Sequence, residues 1–376
     1  MQFQFNSGQI LFGEGRAREL PDLVDTIGDR PFVITGSHSE RHKEIVAWVQ
    51  GAVYALKGEP SIENLNEALE HAKGYQADCV VGIGGGSAID LAKAVAAMLR
   101  NKGDVLDYLE VIGKGQPLER NAFPTIAIPT TSGTGAEVTK NAVLYSEEHK
   151  VKVSLRHNSM VPSIALVDPE LTYGLPPNIT ASTGLDALTQ LIEVFLTKKA
   201  NPLTDGLVRE ALPAGAKALK VACEYGDNVN ARRDMCLASL FSGMGLANSG
   251  LGAVHGFAGP LGGMVSIPHG TACAILLPHC LEANVRTAQQ SGELGLISRF
   301  TKLAEMILGP AGDVSSLVRW ASDMVSELSI GKLSDFGFQE SQIPELVEKA
   351  QKASSMRGNR LPLPDEILTA ILQQAL

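Results

Sequence analysis

Short apolar runs alternate with helical patterns over the first half of the chain. Four runs rich in β-branched residues each fit a buried strand, and they span residues 31–36, 79–83, 124–129 and 164–168. Between these runs, residues 62–72 and 88–99 carry apolar side chains at the spacing of one helix face. This alternation predicts a mostly parallel sheet covered by helices.

The pattern changes after two consecutive prolines at residues 176–177. Helical spacing then dominates as far as a last predicted helix at residues 367–374. One predicted helix face carries Leu185, Leu188, Ile192 and Phe195. Because consecutive prolines restrict φ and end regular structure, they indicate the domain boundary. We therefore expect an α/β domain at residues 1–177 and an all-α domain at residues 178–376.

Length and charge narrow the class of protein. The chain has 376 residues, 44% of them hydrophobic, which is enough for about two domains at roughly 150 residues each. A ligand site is expected in a cleft between such domains. The formal net charge of -9 argues against nucleic-acid partners and against binding to an anionic membrane surface. The expected partner is a small molecule.

The N-terminal segment and the hydropathy bear on location. Residues 1–6 alternate apolar and polar positions, as a half-buried strand does, and they lack the basic and apolar regions of a signal peptide. No stretch approaches about 18 uninterrupted apolar residues, so no membrane span is expected. We expect a cytoplasmic protein.

The cysteines do not form a recognisable framework. There are five, an odd number, and no two of them form a CxxC pair. They are Cys79, Cys223, Cys236, Cys273 and Cys280. We expect most of them to be reduced, buried packing residues.

A glycine run marks the first candidate binding site. Gly84, Gly85, Gly86 and Ser87 follow an apolar strand and open a predicted helix. Glycines there allow close approach of a diphosphate, whose charge the free N–H groups of the helix N-terminus would hold. A tight turn without a ligand is the alternative.

A second loop, residues 129–137, supplies threonines, a serine and glycines at the same edge of the sheet, so both loops are expected to share one ligand.

The preceding strand bears on the choice of cofactor. It ends in Gly36, so no carboxylate is present there to accept a hydrogen bond from a ribose 2′-hydroxyl or to repel a 2′-phosphate. NADP is therefore favoured over NAD, with Ser37 and Arg41 as candidate phosphate partners. Arg41 fits equally well as a solvated residue at the start of a helix.

Four residues of the C-terminal half are candidate metal ligands. Asp186 and Gln190 are four apart on a predicted helix and share a face, while His255 and His269 lie on separate segments. A carboxylate and two imidazoles suit Fe(II) or Zn(II) and leave a position open for a substrate oxygen. Taken singly, each histidine also fits a hydrogen-bonded core residue.

Four segments together carry a family resemblance. They are GGGSAIDLAK (84–93), PTTSGTGAEVT (129–139), TGLDALTQLIE (183–193) and GLGAVHGFAGPLGGMVSIPHGTACAILLPH (250–279). In order and in register, they resemble the signature segments of the iron-containing, or group III, alcohol dehydrogenases. The resemblance implies an α/β dinucleotide-binding domain with a mostly parallel sheet and an all-α domain, the dehydroquinate synthase-like architecture. It also implies an NAD(P)-dependent alcohol dehydrogenase with a metal between the domains.

The resemblance also assigns roles to residues. Diphosphate contacts fall to Gly85, Gly86 and Ser87, and further cofactor contacts fall to Thr130, Thr131 and, near the nicotinamide ribose, Lys152. The metal ligands match Asp186, His255 and His269, and the two histidines are the candidate catalytic residues. The substrate pocket would be lined by Asn141 and Leu246.

Two positions depart from the family pattern. Gln190 stands where the second metal ligand is normally histidine, and Gly259 replaces a histidine that normally lies close to nicotinamide and substrate. An amide oxygen is a weaker ligand than imidazole, so the expected site binds its metal weakly or remains without one. Gly259 removes a proton relay and enlarges the substrate pocket.

The expected reaction is reversible hydride transfer between nicotinamide C4 and the carbonyl carbon of a small aldehyde or ketone, with the metal polarising the carbonyl oxygen. One alternative is a metal-independent reductase, similar to maleylacetate reductases, in which His255 or His269 orients the substrate. A less favoured alternative is a lyase similar to the sugar-phosphate cyclases, because the cleft region has few basic residues. A homodimer is expected. The alternating N-terminal strand fits pairing with a second subunit, and the alternative is that it completes its own sheet.

Overall fold

The structure, a computed structural model, describes residues 7–37 and 39–376. These residues form two compact units, an α/β unit that ends at Tyr173 and a helical unit from Gly174 to Leu376. The division falls shortly before the consecutive prolines. The alternating strand predicted for residues 1–6 lies outside the described residues.

The helices and strands of the α/β unit follow one another in a largely alternating order. They are β1 (Gln9–Phe12), α1 (Leu20–Asp25), β2 (Pro31–Thr35), α2 (Lys43–Trp48), β3 (Ala52–Ala55), α3 (Ile62–Tyr75), β4 (Cys79–Gly84), α4 (Gly86–Met98), β5 (Thr125–Pro129), β6 (Asn141–Ser146), β7 (Val151–Arg156) and β8 (Ile164–Val167). The four strands and two helices predicted from the first half of the chain are all present, within a few residues of the expected bounds.

Six of these strands form one parallel sheet in the order β1-β8-β5-β4-β2-β3. The predicted parallel sheet is confirmed. The central strands β2, β4 and β5 are buried along their whole length, which explains their continuous apolar sequences. In register, Thr35 pairs with Ile83 and Gly84 pairs with Pro129. The carboxyl ends of these three strands therefore lie side by side.

Other strands in this unit were not predicted. The edge strands β1 and β3 are only four residues long and partly exposed, so they lack the apolar run that identifies a buried strand. The antiparallel pair β6 and β7 forms a separate two-stranded sheet. Its alternating burial is that of a sheet with one covered face.

The helical unit contains ten α-helices and no strand between residues 174 and 376, all of which the structure describes. They are α5 (Pro177–Leu196), α6 (Pro202–Glu224), α7 (Val229–Ser249), α8 (Ala253–Met264), α9 (His269–Gln290), α10 (Leu294–Leu308), α11 (Val314–Glu327), α12 (Ile343–Lys352), α13 (Ser354–Gly358) and α14 (Asp365–Ala375). The prediction of an all-α C-terminal region is confirmed.

Helix α5 lies at the centre of this unit. Pro177 is its first residue, where a missing N–H costs no hydrogen bond, so the prolines start this helix as well as ending the preceding segment. From Gly184 to Phe195 every residue is buried. Polar residues inside that stretch must therefore find partners within the protein.

In the described part of the chain, no single helix combines the length and the apolar character needed to cross a membrane. Only the bent pair α7 and α8, which meet at 97°, passes that test when taken together.

Candidate functional site

The glycine run forms a sharp turn from β4 into α4. Gly84 has a φ of 155°, and a Cβ there would lie 2.8 Å from the Cβ of Ala88 and 3.2 Å from the backbone nitrogen of Gly36. Glycine is required by this close approach. Gly85 precedes the helix in an extended conformation, and the first turn of α4 contains no acidic residue. The N-terminus of α4 therefore presents backbone N–H groups suited to an anion.

The second loop packs against the first, as expected. The Thr130 N–H donates a hydrogen bond to the carbonyl oxygen of Gly84 at 3.0 Å. A Cβ at Gly85 would lie 3.3 Å from Thr131 Oγ1, and a Cβ at Gly86 would lie 2.7 Å from Thr134 Oγ1. The structure thus places Gly84 and Gly85 beside the two predicted threonines and Gly86 beside Thr134, with little room for a side chain between the loops.

A buried lysine, which the sequence reasoning missed, holds the second loop in place. The Lys93 side chain is 0% exposed and pairs with Asp90 at 2.8 Å. Its ammonium donates to the carbonyl oxygens of Ala136 and Asn141 at 3.0 and 2.5 Å and to Thr139 Oγ1 at 3.1 Å. A lysine one turn after an aspartate, within an alanine-rich and mostly buried helix, was the available signal. Asn141, a predicted pocket residue, is thereby held through its main chain.

Glu137 lies in the same loop and is fully buried. Burial raises its pKa to about 7, against the opposing effects of a backbone hydrogen bond and of the Lys93 charge. This carboxyl group therefore holds a proton at a pH where an exposed glutamate has lost it.

The three residues expected near the adenosine ribose of the cofactor have different contacts in the structure. Gly36 directly follows β2, and its N–H donates to the carbonyl oxygen of Ile83 at 3.3 Å. Ser37 Oγ accepts a hydrogen bond from the Gly58 N–H at 3.0 Å. Arg41 donates to the carbonyl oxygen of Tyr173 at 2.6 Å. Gly36 is thus beside the glycine run, whereas the side chains of Ser37 and Arg41 have partners within the chain.

Lys152 lies on β7 and forms an ion pair with Glu59 at 2.5 Å, while most of its side chain is buried. Its proposed contact with the nicotinamide ribose stays a prediction.

Four donor residues converge inside the helical unit. Asp186 comes from α5, His255 from α8, and His269 and Cys273 from the first two turns of α9. Their ligand atoms all lie within 4.8 Å of one another. Nε2 of His255 is 3.1 Å from Asp186 Oδ1, and Cys273 Sγ is 3.6 Å from Nε2 of His255 and 3.7 Å from Nε2 of His269. We call these four residues the donor cluster.

The structure therefore unites three of the predicted metal ligands and adds one that sequence reasoning treated as packing. Cys273 is 0% exposed. Its position four residues after His269 on one helix places both side chains on the same face, and this spacing was the signal available in the sequence.

Close packing of α9 against α5 brings His269 to Asp186. A Cβ at Gly270 would lie only 2.4 Å from the carbonyl oxygen of Ser182 and 3.4 Å from the Cβ of Asp186. The absence of a side chain at residue 270 therefore allows the two helices to meet beside the donor cluster.

A second carboxylate orients His255. Its Nδ1 donates to Glu193 Oε2 at 2.7 Å, and the Val254 N–H donates to Glu193 Oε1 at 2.7 Å, so Glu193 also satisfies the start of α8. This hydrogen bond directs Nε2 toward the donor cluster. The sequence reasoning missed Glu193, although it is an acid within the buried, mostly apolar face of α5 that also carries Asp186.

The electrostatics of the donor cluster favour bound positive charge. Burial alone would lower the pKa of His255, but Cys273, Asp186 and Glu193 outweigh it and raise the pKa well above the usual value. The pKa of His269 is likewise raised by Cys273 and Asp186 against the effect of burial. Burial would raise the pKa of Asp186, yet the two histidines lower it. This set of oxygen, nitrogen and sulfur donors is buried except for the half-buried His269, and with this charge balance it fits a divalent transition metal.

Three further predicted residues lie on helices of the same unit. The buried Gln190 accepts a hydrogen bond through Oε1 from Ser242 Oγ at 3.1 Å. Leu246, on α7, is half-buried and packs against the core of the unit. A Cβ at Gly259 would meet no atom within 4 Å, so there is open space at that position. Their roles as ligand and pocket residues stay predictions.

Comparisons with known proteins identify the class. The family described as "Iron-containing alcohol dehydrogenase" matches residues 7–169, and that described as "Fe-containing alcohol dehydrogenase family, C-terminal" matches residues 180–376. The long-chain-alcohol dehydrogenase 1 of Geobacillus thermodenitrificans (strain NG80-2) is 36% identical over 323 residues, which cover 84% of this chain and 80% of that protein.

Two solved structures of oxidoreductases are similar to this chain over its whole length. The crystal structure of a 1,3-propanediol oxidoreductase matches with a TM-score of 0.90 at 28% identity and covers 100% of both chains. A sulfoacetaldehyde reductase from Bifidobacterium kashiwanohense, in complex with NAD+, matches with a TM-score of 0.86 at 29% identity, covering 100% of this chain and 99% of the other.

This chain belongs to the iron-containing alcohol dehydrogenase family. It is an oxidoreductase that acts on CH–OH groups. The resemblance and the expected fold class are confirmed.

Proposed function

We propose that this chain is a metal-assisted NAD(P)-dependent alcohol dehydrogenase or aldehyde reductase, acting on a small aldehyde or ketone. The observation that carries the proposal is the buried donor cluster, whose His255 is oriented by Glu193. When bound there, Fe(II) or Zn(II) would supply Lewis-acid polarisation of a carbonyl oxygen, and the nicotinamide would supply the hydride.

The chain itself contributes binding and orientation. Asp186, His255 and His269 would hold the metal, and in this sense the two histidines would be the catalytic residues. Glu193 fixes the imidazole tautomer of His255. In the α/β unit, the loops at residues 84–87 and 130–131 would hold the diphosphate through backbone amides and threonine hydroxyls.

The substrate class rests on the open space at Gly259 and on the related enzymes. Their names refer to long-chain alcohols, 1,3-propanediol and sulfoacetaldehyde, so the family scaffold accepts chemically different chains. The lack of a side chain at residue 259 supports a substrate that reaches further than the histidine of the family pattern would allow.

A metal-removal experiment tests this function. The purified protein is assayed for NADPH and NADH oxidation against a panel of aldehydes and ketones, with metal content measured in parallel. Because four donor side chains converge in the structure, we expect about one metal ion per chain, in place of the weak or empty site that Gln190 alone predicts. We also expect loss of turnover on chelation, restored by Zn(II) or Fe(II). Full turnover by the metal-free protein would instead support the metal-independent reductase.

We propose NADP over NAD as the cofactor, supported by the absence of a carboxylate at the Gly36 position beside the glycine run. The NAD+ complex of the sulfoacetaldehyde reductase makes NAD the alternative. A Cβ at Gly36 would approach only the Cβ of Ala88, at 4.0 Å, so there is room for the Cβ that Gly36→Asp introduces.

This substitution should lower kcat/KM for NADPH relative to NADH by about tenfold or more, because a carboxylate facing a 2′-phosphate costs on the order of 1–4 kcal/mol. Gly36→Asn is the uncharged control and should leave the ratio near its original value. An unchanged ratio in Gly36→Asp would contradict the assignment of this position to the ribose.

We also propose a cytoplasmic homodimer. Support for the dimer comes from β1, an edge strand of the sheet in the described residues, where a second copy can add a strand. Light scattering after size-exclusion chromatography measures the mass directly, and a monomer at micromolar concentration would contradict the dimer.

A further inference from the structure

We propose that the Cys273 thiolate is a direct metal ligand in the donor cluster, taking the coordination position that residue 190 holds in the family pattern. The proposal rests on the metal-assisted function above. It makes the donor set one carboxylate, two imidazoles and one thiolate, drawn from three helices.

The distances between donor atoms match those of a coordinated set. Zinc–sulfur and zinc–nitrogen bonds of about 2.3 and 2.0–2.1 Å at tetrahedral angles place sulfur about 3.6 Å from each nitrogen. In the structure, Cys273 Sγ is 3.6 Å from His255 Nε2 and 3.7 Å from His269 Nε2. The thiol therefore already lies at the distance that shared coordination requires.

The chemistry of residue 190 also favours Cys273 as the ligand. The only atom of Gln190 suited to a metal is Oε1, and Ser242 Oγ lies within hydrogen-bond distance of it, at 3.1 Å. An amide oxygen so engaged is a neutral and weak donor. Cys273 brings an ionisable sulfur in a buried position, which compensates for the loss of the imidazole.

Its position on α9 distinguishes Cys273 from Cys280, the other buried cysteine of the same helix. It lies one turn after His269, so a single helix supplies two adjacent donors to the cluster. Cys280 is equally buried on the same helix but is not part of the donor cluster. A thiolate beside imidazoles is a set that suits Zn(II) better than Fe(II).

Cobalt substitution tests the proposal by a readout independent of turnover. The metal-free full-length protein is titrated with Co(II), and near-ultraviolet absorption is recorded for the wild type, Cys273→Ser and the matched control Cys280→Ser. We expect a sulfur-to-cobalt charge-transfer band in the wild type and in the control, and none in Cys273→Ser. Zinc affinity should fall in Cys273→Ser by at least the 10- to 100-fold that loss of an outer-shell partner costs.

The outcomes separate this proposal from the function on which it rests. Stoichiometric Co(II) binding by the wild type without a charge-transfer band would overturn Cys273 as a ligand and leave the metal-assisted enzyme standing. A wild type that binds neither Co(II) nor Zn(II) would overturn both. X-ray absorption of the zinc-loaded wild type gives the same decision without any variant, since a sulfur neighbour at about 2.3 Å is expected.

Discussion

The glycine and threonine loops of the α/β unit, which are candidates for cofactor binding, and the donor cluster of the helical unit are assembled in opposite ways. In the first, the groups that would bind are backbone amides of consecutive residues, 84–87, placed by a strand and a helix that adjoin in the chain. In the second, the groups are side chains from α5, α8 and α9, separated by up to 87 positions between Asp186 and Cys273. One site depends on local conformation and the other on helix packing.

A glycine permits the essential contact in both cases. Gly84 allows β4 to turn against Ala88 and Gly36, and Gly270 allows α9 to touch the main chain of α5. The comparison predicts that a methyl group at Gly270 disturbs side-chain geometry, whereas one at Gly84 disturbs backbone donors.

The largest expected effect is that of Gly270→Ala. The added Cβ would lie 2.4 Å from a backbone oxygen, which cannot rotate away, so α9 must move from α5 and carry His269 and Cys273 with it. Overpacking of this kind costs about 1–3 kcal/mol, and we expect zinc affinity to fall by about 100-fold, at the upper end of that range. Isothermal titration calorimetry with Zn(II) measures the zinc affinity of the variant and of the wild type.

Gly295→Ala is the matched control for that change, because a Cβ at this position in α10 would meet no atom within 4 Å. It should retain wild-type zinc affinity. Equal affinities in both variants would show that close helix contact at Gly270 does not hold the donor cluster together.

Glu193→Gln should have the next largest effect. The amide keeps the size of the side chain but loses the charge that faces His255 Nδ1, and loss of such an outer-shell partner costs about 10- to 100-fold in metal affinity. The pH dependence of zinc binding should shift as well, since the carboxylate helps to raise the pKa of His255. Glu210→Gln, an exposed change on α6, is the control. A Glu193→Gln variant with an unaltered pH dependence would limit Glu193 to a structural role.

Gly84→Ala should weaken cofactor binding while leaving zinc affinity intact. The new Cβ would lie 2.8 Å from that of Ala88, and φ at 155° is unfavourable for alanine, so we expect the turn to shift and the dissociation constant for NADPH to rise about tenfold. Gly74→Ala, in α3 and without atoms within 4 Å of the added Cβ, is the control. Fluorescence titration measures the NADPH dissociation constant of each variant. Equal dissociation constants for Gly84→Ala and Gly74→Ala would contradict the role of Gly84.

The last expected effect is on stability and comes from Glu137. Its pKa of about 7 in the folded protein exceeds the usual 4.5, so the folded state binds the proton more tightly. This stabilisation is complete below about pH 4.5 and is lost as the pH rises through 7, a difference of roughly 3 kcal/mol. In urea unfolding, Glu137→Gln should flatten the pH dependence between pH 5 and 8. If the free energy of unfolding depends on pH in the same way in the wild type and the variant, Glu137 does not bind this proton.

The parallel sheet, the helical C-terminal region and the glycine loops could all be predicted from the amino-acid sequence. These features depend on short-range patterns, namely apolar runs for buried strands, spacing for helix faces, and glycines where the backbone must turn. Asp186, His255 and His269 were also found, although only the family resemblance distinguished them from buried polar residues.

Which side chains meet at the donor cluster, and which contacts hold the loops, became visible only in the folded structure. Cys273 was expected to be a packing residue, and neither Glu193 nor Lys93 was singled out from the sequence. Their contacts arise only where α4, α5, α8 and α9 pack. The physical reason is that helix periodicity identifies which face is buried but not what that face contacts. That contact is set by close approach at residues such as Gly270, which depends on the packing of helices distant in the sequence.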